Sequence, residues 1–205
     1  DTDPGADDVI ALLFAMAAPE RLHIEALTTV AGNVPLAKTS RNARLACEWA
    51  GRPEIPVYAG AERPLQRTPI YAANIHGKEG LTGVDVHEPA APLADGHAVD
   101  YLVRTLRAAP EKSVTLAMLG PQTNLALALE QAPDIVRGLR ELVLMAGAHF
   151  NGGNITPVAE FNVFADPHAA EAVLLKSGVP ITMLPLDVTH KILTSDERIA
   201  RLRGL

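Results

Sequence analysis

The chain has 205 residues, 48% of them apolar and only 4% aromatic. That composition supports one packed core and excludes a fibrous or disordered chain. The formal net charge is −6 with no Lys/Arg run, which excludes a nucleic-acid polymer as partner, and no apolar stretch reaches the roughly 18 residues of a membrane span.

Four aspartates open the sequence within DTDPGADD, residues 1–8. Val9, Ile10, Leu12, Leu13 and Met16 then recur at helical spacing up to Ala18, before Pro19, so Asp7 and Asp8 stand at a helix N-terminus. Residues 22–30 read as a strand ending in Ala31-Gly32-Asn33, followed by a helix from Pro35 to Ala50. Cys47 lies on that helix; a lone cysteine excludes an intrachain disulfide and a cysteine metal cluster, and reads as a small buried residue. Residues 60–96 hold four prolines and five glycines with few strand signals, and read as a functional loop rather than a linker.

Further along, residues 113–119 read as a strand running into Gly120-Pro121 and a helix through Ala132. Residues 141–145 form a strand that enters a Gly- and Asn-rich loop, and residues 181–186 are the last clear strand. Residues 196–205 read as a helix in mid-course. Strands alternating with helices predict an α/β fold, with a mostly parallel central sheet and helices on both faces, in a single domain over residues 1–205. Ligands of such sheets bind beyond the carboxyl ends of the strands, where Asp1–Asp8, Asn33, Thr123-Asn124, Asn151–Asn162 and Asp187 all fall. Chemistry of this kind usually stands after a strand, so the chain is expected to lack its first strand and a C-terminal segment. Without a basic, apolar leader it is expected to be cytoplasmic.

Pro4-Gly5 turns the backbone so that Asp3 and the Asp7/Asp8 pair can face one point. Clustered like charges are tolerable beside a hard divalent cation, and oxygen-only ligands favour calcium or magnesium over zinc. Taken singly, each aspartate is equally an ordinary helix cap or acidic turn. A DxD phosphatase with an aspartyl nucleophile and magnesium is a remote alternative. That class places Thr or Val two residues after its second aspartate, whereas Pro4-Gly5-Ala6-Asp7-Asp8 stands here.

DTDPGADD, together with AGN (31–33), NIHGKEGL (74–81), LGPQTN (119–124) and AEFNVFADP (159–167), resembles the inosine-uridine nucleoside hydrolase family; LDVTH (186–190) is a weaker match. The resemblance implies hydrolysis of the N-glycosidic bond of ribonucleosides to ribose and free base by a calcium-activated water. It implies Asp3 and Asp8 as calcium ligands, Thr123 as a ligand through its backbone carbonyl, Asp3 also as general base, and Asp1 as a supporting group. Asp7, Asn33, Met145, Asn154, Glu160 and Asn162 become the substrate-binding set. Glu160 and Asn162 can face one ligand if their segment is extended.

His76 matches a position facing the base in members that accept pyrimidine and purine nucleosides, and implies a broad or pyrimidine-leaning preference. His190 reads as structural, with Asp187 as its partner or as a neighbouring cap. The resemblance further implies a last calcium-binding aspartate and a leaving-group acid beyond residue 205, and a homodimer or homotetramer. The alternative from another class is a non-catalytic nucleoside- or sugar-binding protein with the same cleft.

Overall fold

The structure is a computed structural model that describes residues 1–204, so the end of the last predicted helix, Leu205, lies outside the described residues. Parallel strands form two hydrogen-bonded groups. β1 (Leu27–Thr29) pairs with β2 (Val57–Ala59), while β3 (Val114–Met118), β4 (Leu139–Met145) and β5 (Ile181–Leu184) pair in that order. The opening residues join the two groups. Thr2 N–H donates to Thr28 O at 2.9 Å and Val30 N–H to Thr2 O at 3.1 Å, while on the other side Leu119 N–H donates to Asp1 O at 2.8 Å. The spatial order is therefore β2, β1, residues 1–3, β3, β4, β5, and the DxD motif lies between the two strand groups.

The helices are α1 (Ala6–Met16), α2 (Leu36–Trp49), α3 (Ala73–His76), α4 (Ala98–Ala108), α5 (Thr123–Gln131), α6 (Phe161–Ala165), α7 (Pro167–Lys176), α8 (Leu186–Thr189) and α9 (Asp196–Arg203). Their buried faces follow the apolar spacing. Val9, Leu12 and Met16 of α1 meet Ala43, Leu45 and Cys47 of α2 beside Leu27 and Val57. A larger cluster gathers Leu102 and Leu106 of α4, Leu125 and Leu129 of α5, Leu142 and Leu144 of β4 and Val173 of α7. Each fully buried leucine contributes roughly 2 kcal/mol. Among the described residues no helix is long and apolar enough to cross a membrane.

Most predicted elements stand within a few residues of their expected bounds. The first strand is shorter than its apolar run, covering Leu27–Thr29 rather than residues 22–30. β2 escaped prediction because three residues, VYA, carry too little alternation to signal a strand. Residues 60–96 are mostly irregular, interrupted by the single turn α3.

Candidate active site

The site is built where strand ends, the opening turn and the loop before α6 converge. Asp3 is buried at the sheet end. Its Oδ2 accepts the Asn33 N–H at 2.7 Å, and its Oδ1 is buried with no hydrogen-bond partner. Gly32 and Gly120 press on that carboxylate from the ends of β1 and β3, and a methyl group at either position would overlap its oxygens. Asp8, also buried, accepts from Thr2 Oγ1 at 2.7 Å, from Gly5 N–H at 3.1 Å and from Asn33 Nδ2 at 3.3 Å. Asn33 thus touches both carboxylates, and its Nδ2 also lies 3.1 Å from the Asp3 carbonyl.

Burial, reinforced by the Asp8 charge, holds the Asp3 carboxyl well above the usual range. Asp8 is pushed up to about 6, by burial first and by Asp7 second, against the lowering effect of the Thr2 and Gly5 bonds. Two ionised carboxylates in this setting are costly without a cation. The orphaned Oδ1, the glycine cradle and the all-oxygen donor set fit a hard divalent ion. Among the described residues no group of three His, Cys, Asp or Glu side chains gathers to hold a metal, so such an ion draws its remaining ligands from other oxygens.

A cavity of about 260 Å³ opens beside this pair, and Asp8 forms part of its wall. Asp7, Asn33 and His76 line it. Met145, Asn154, Glu160 and Asn162 line it too, so the structure brings the whole predicted substrate set into one cavity. Asp1, Asp3 and Thr123 do not line it. Asp1 Oδ2 accepts from Thr28 Oγ1 and Asn124 Nδ2, both at 2.7 Å, and so fastens β1 to the start of α5. Thr123 heads α5, buried, with its hydroxyl donating to Asp166 at 2.8 Å.

Glu160 and Asn162 meet by a different geometry from the extended one expected. Glu160 is the N-cap of α6, its carboxylate accepting from the N–H groups of Asn162 (2.8 Å), Val163 (3.1 Å) and Gly147 (3.1 Å). Burial still raises its pKa, because those bonds offset desolvation only in part. Asn162 spends its amide on the carbonyls of Leu119 (2.7 Å) and Met145 (3.0 Å), tying α6 to the ends of β3 and β4. Asn154 accepts the Phe161 N–H at 2.9 Å, which leaves its Nδ2 for the cavity.

His76 is half-enclosed, with Nδ1 3.8 Å from the exposed carboxylate of Asp7 and its ring against Gly5. Its loop is fixed from α2. Glu79 bridges Lys38 and Arg41, each at 2.8 Å, and Asn42 Nδ2 donates to the carbonyls of Glu79 (2.9 Å) and Pro4 (3.1 Å). Sequence reasoning missed this brace, and missed Tyr71, Ile75 and Ile155, which add apolar surface to the cavity. It also missed the fully buried Asp166, which holds Thr123, Leu65 N–H and Ala169 N–H; only its place in the ADP run, ahead of a helix-starting proline, hinted at a cap. Asp187 has no bond to His190. It accepts backbone N–H groups from residues 149–151 instead, because it heads α8 beside that loop.

Comparison with known proteins identifies the family. The model of the family described as inosine-uridine preferring nucleoside hydrolase matches residues 1–205. A Schizosaccharomyces pombe protein of uncharacterised function is 50% identical over 205 residues, covering all of this chain and 66% of its own length. The pyrimidine-specific ribonucleoside hydrolase RihA of Salmonella agona is 44% identical over 205 residues, covering 100% of this chain and 65% of that protein. Among solved structures, the purine-preferring ribonucleoside hydrolase from Gardnerella vaginalis superposes with a TM-score of 0.92 at 33% identity, over 100% of this chain and 65% of that one. The chain spans about two thirds of the length of these relatives, and over that span it belongs to the inosine-uridine preferring nucleoside hydrolase family.

Proposed function

We propose that the chain hydrolyses the N-glycosidic bond of ribonucleosides, releasing ribose and free base. The observation that carries this reading is the placement of Asp7, Asn33, Asn154, Glu160 and Asn162 around one cavity that shares Asp8 with the buried Asp3/Asp8 pair. Glycosidic cleavage leaves an oxocarbenium-like sugar, and a ring of acceptors and amide dipoles around its hydroxyls stabilises that state more than the ground state.

Calcium is the proposed cation: Asp3, Asp8 and the Thr123 carbonyl would hold it, and when bound it would lower the pKa of a water at the site. Asp3 would accept the proton of a water whose oxygen attacks the anomeric carbon, while the electron pair of the broken glycosidic bond leaves with the base nitrogen, which takes up a proton from solvent. Asp7, Asn154 and Glu160 bind the ribose hydroxyls, and His76 faces the base. The preference is proposed as broad with a pyrimidine lean, supported by His76 at the cavity wall and by the name of the RihA relatives.

The test is to incubate the full-length protein with uridine and with inosine, with and without a chelator, and to assay reducing sugar. Ribose release from uridine at least equal to that from inosine, lost with chelator and restored by calcium, is expected. No ribose from either nucleoside under any condition overturns the reading.

A further inference from the structure

The loop over residues 146–153 leaves β4 after Met145 and returns the chain at Asn154, so it spans two residues of the cavity wall. It is not held by a core of its own. The rings of His149 and Phe150 meet at a tilt of 58° with centroids 4.0 Å apart, and Phe150 is 87% exposed. Gly147 and Gly152 bracket the loop at φ +79° and +71°, values open to glycine at little cost.

What fixes the loop is the carboxylate of Asp187. Its Oδ2 accepts the His149 N–H at 2.8 Å, and its Oδ1 accepts those of Phe150 at 2.7 Å and Asn151 at 3.1 Å. The same bonds, that from His149 foremost, hold its pKa below the usual carboxylate range. One residue earlier, Leu186 N–H donates to Gly147 O at 3.0 Å, and Gly147 N–H in turn donates to Glu160 at 3.1 Å. At the far end Gly153 N–H bonds Pro157 O at 3.0 Å, just before Asn154. The turn after β5 thus grips the loop at its centre and at the residue that bonds Glu160.

We propose that Asp187 is a positioning residue for the ribose site: by fixing residues 149–151 it sets the span between Met145 and Asn154, and with it the reach of Asn154 and Glu160 toward the sugar. This rests on the ribonucleoside reading above. Asp187 does not line the cavity. It acts through three main-chain bonds, each of the stronger, charge-assisted kind.

The experiment uses full-length protein carrying Asp187→Asn, with His190→Ala as a control on the same turn. Asp187→Asn is expected to speed hydrogen exchange at the amides of residues 149–151 by about tenfold or more. It should raise KM for uridine about tenfold with kcat within about twofold, the pattern of lost binding rather than lost chemistry. His190→Ala should match wild type in both. Unchanged exchange overturns the clamp. Faster exchange with unchanged KM and kcat overturns the positioning role while leaving the hydrolase reading intact. An equal KM rise in His190→Ala assigns the effect to the turn as a whole, and also overturns it. If wild type releases no ribose, the hydrolase reading fails by itself, and calorimetric affinity for uridine decides: weaker binding by Asp187→Asn upholds the proposal, and equal or absent binding removes it.

Discussion

Asp3 carries its carboxylate into the interior with one oxygen bonded to Asn33 and the other bonded to nothing in the protein. A group so placed destabilises the metal-free fold whenever it is ionised, because its pKa is raised by burial and by Asp8. Asp3→Asn is therefore expected to unfold at a higher temperature than metal-free wild type at neutral pH, while turnover falls by about a thousandfold. Parallel melting curves and ribose assays check both; a variant that keeps its turnover removes Asp3 as base. Glu160 gives a second prediction, with opposite signs for structure and activity. Its folded-state pKa is raised, so the folded chain binds the proton more tightly than the unfolded one. Its contribution to stability therefore falls as pH rises through the window between the ordinary and the raised value, and recovers as pH drops. Turnover moves the other way, since a protonated Glu160 no longer accepts a ribose hydroxyl. Measuring kcat/KM and melting temperature along one acid titration should show activity declining through the window in which this group's contribution to stability rises. The polar side chains that line the cavity were readable from the sequence because carboxylates and amides in a fixed motif order declare themselves. The bonds of Asp187 and Asp166 were hinted at only as caps, because their remaining partners are main-chain N–H groups or a hydroxyl far along the chain.

Among elements, the ends of β1 and β3 matter most, since Gly32 and Gly120 sit where any side chain would strike Asp3. Gly120→Ala is expected to cost about 1–3 kcal/mol of stability and to displace the carboxylate, reducing activity more than that loss of stability alone explains. Denaturant titration of the variant, set beside its kinetics, separates the two effects. Asp166 joins α7, the start of α5 and the segment at Leu65 through bonds to buried partners. Asp166→Ala is expected to cost about 3 kcal/mol, read as a shift in unfolding midpoint, because it strands buried donors. Periodicity marked α1, α2 and α5 well, since each buries one apolar face. It failed at β2 and α6, which hold three and five residues and are imposed by pairing and capping rather than by pattern. The extended reading of Glu160–Asn162 failed for the same reason: an N-cap brings residues two apart together as readily as a strand does.

At the scale of the whole molecule, the two buried carboxylates would couple binding of the proposed cation to folding. Calcium at about a hundred times its dissociation constant should stabilise the protein by about 2.7 kcal/mol, and should do so far less in Asp3→Asn. Equal melting shifts in the two proteins would place the ion elsewhere. The parallel α/β order was readable because strands and helices alternate along the chain. The place of the opening residues was not, since no propensity shows which two strands a three-residue segment will join.

That central placement bears on the order of folding. The two sides of the seam, β1 and β3, lie on opposite sides of a long irregular stretch of chain, and the carboxylates take their positions only once both flank residues 1–3. Contacts so distant in sequence close late, after the entropy of the intervening loop has been lost. An ion that recognises only the finished seam cannot guide the early collapse. Bound at that seam, a cation would slow escape from the native state, so it would be read in kinetic persistence rather than in speed of refolding.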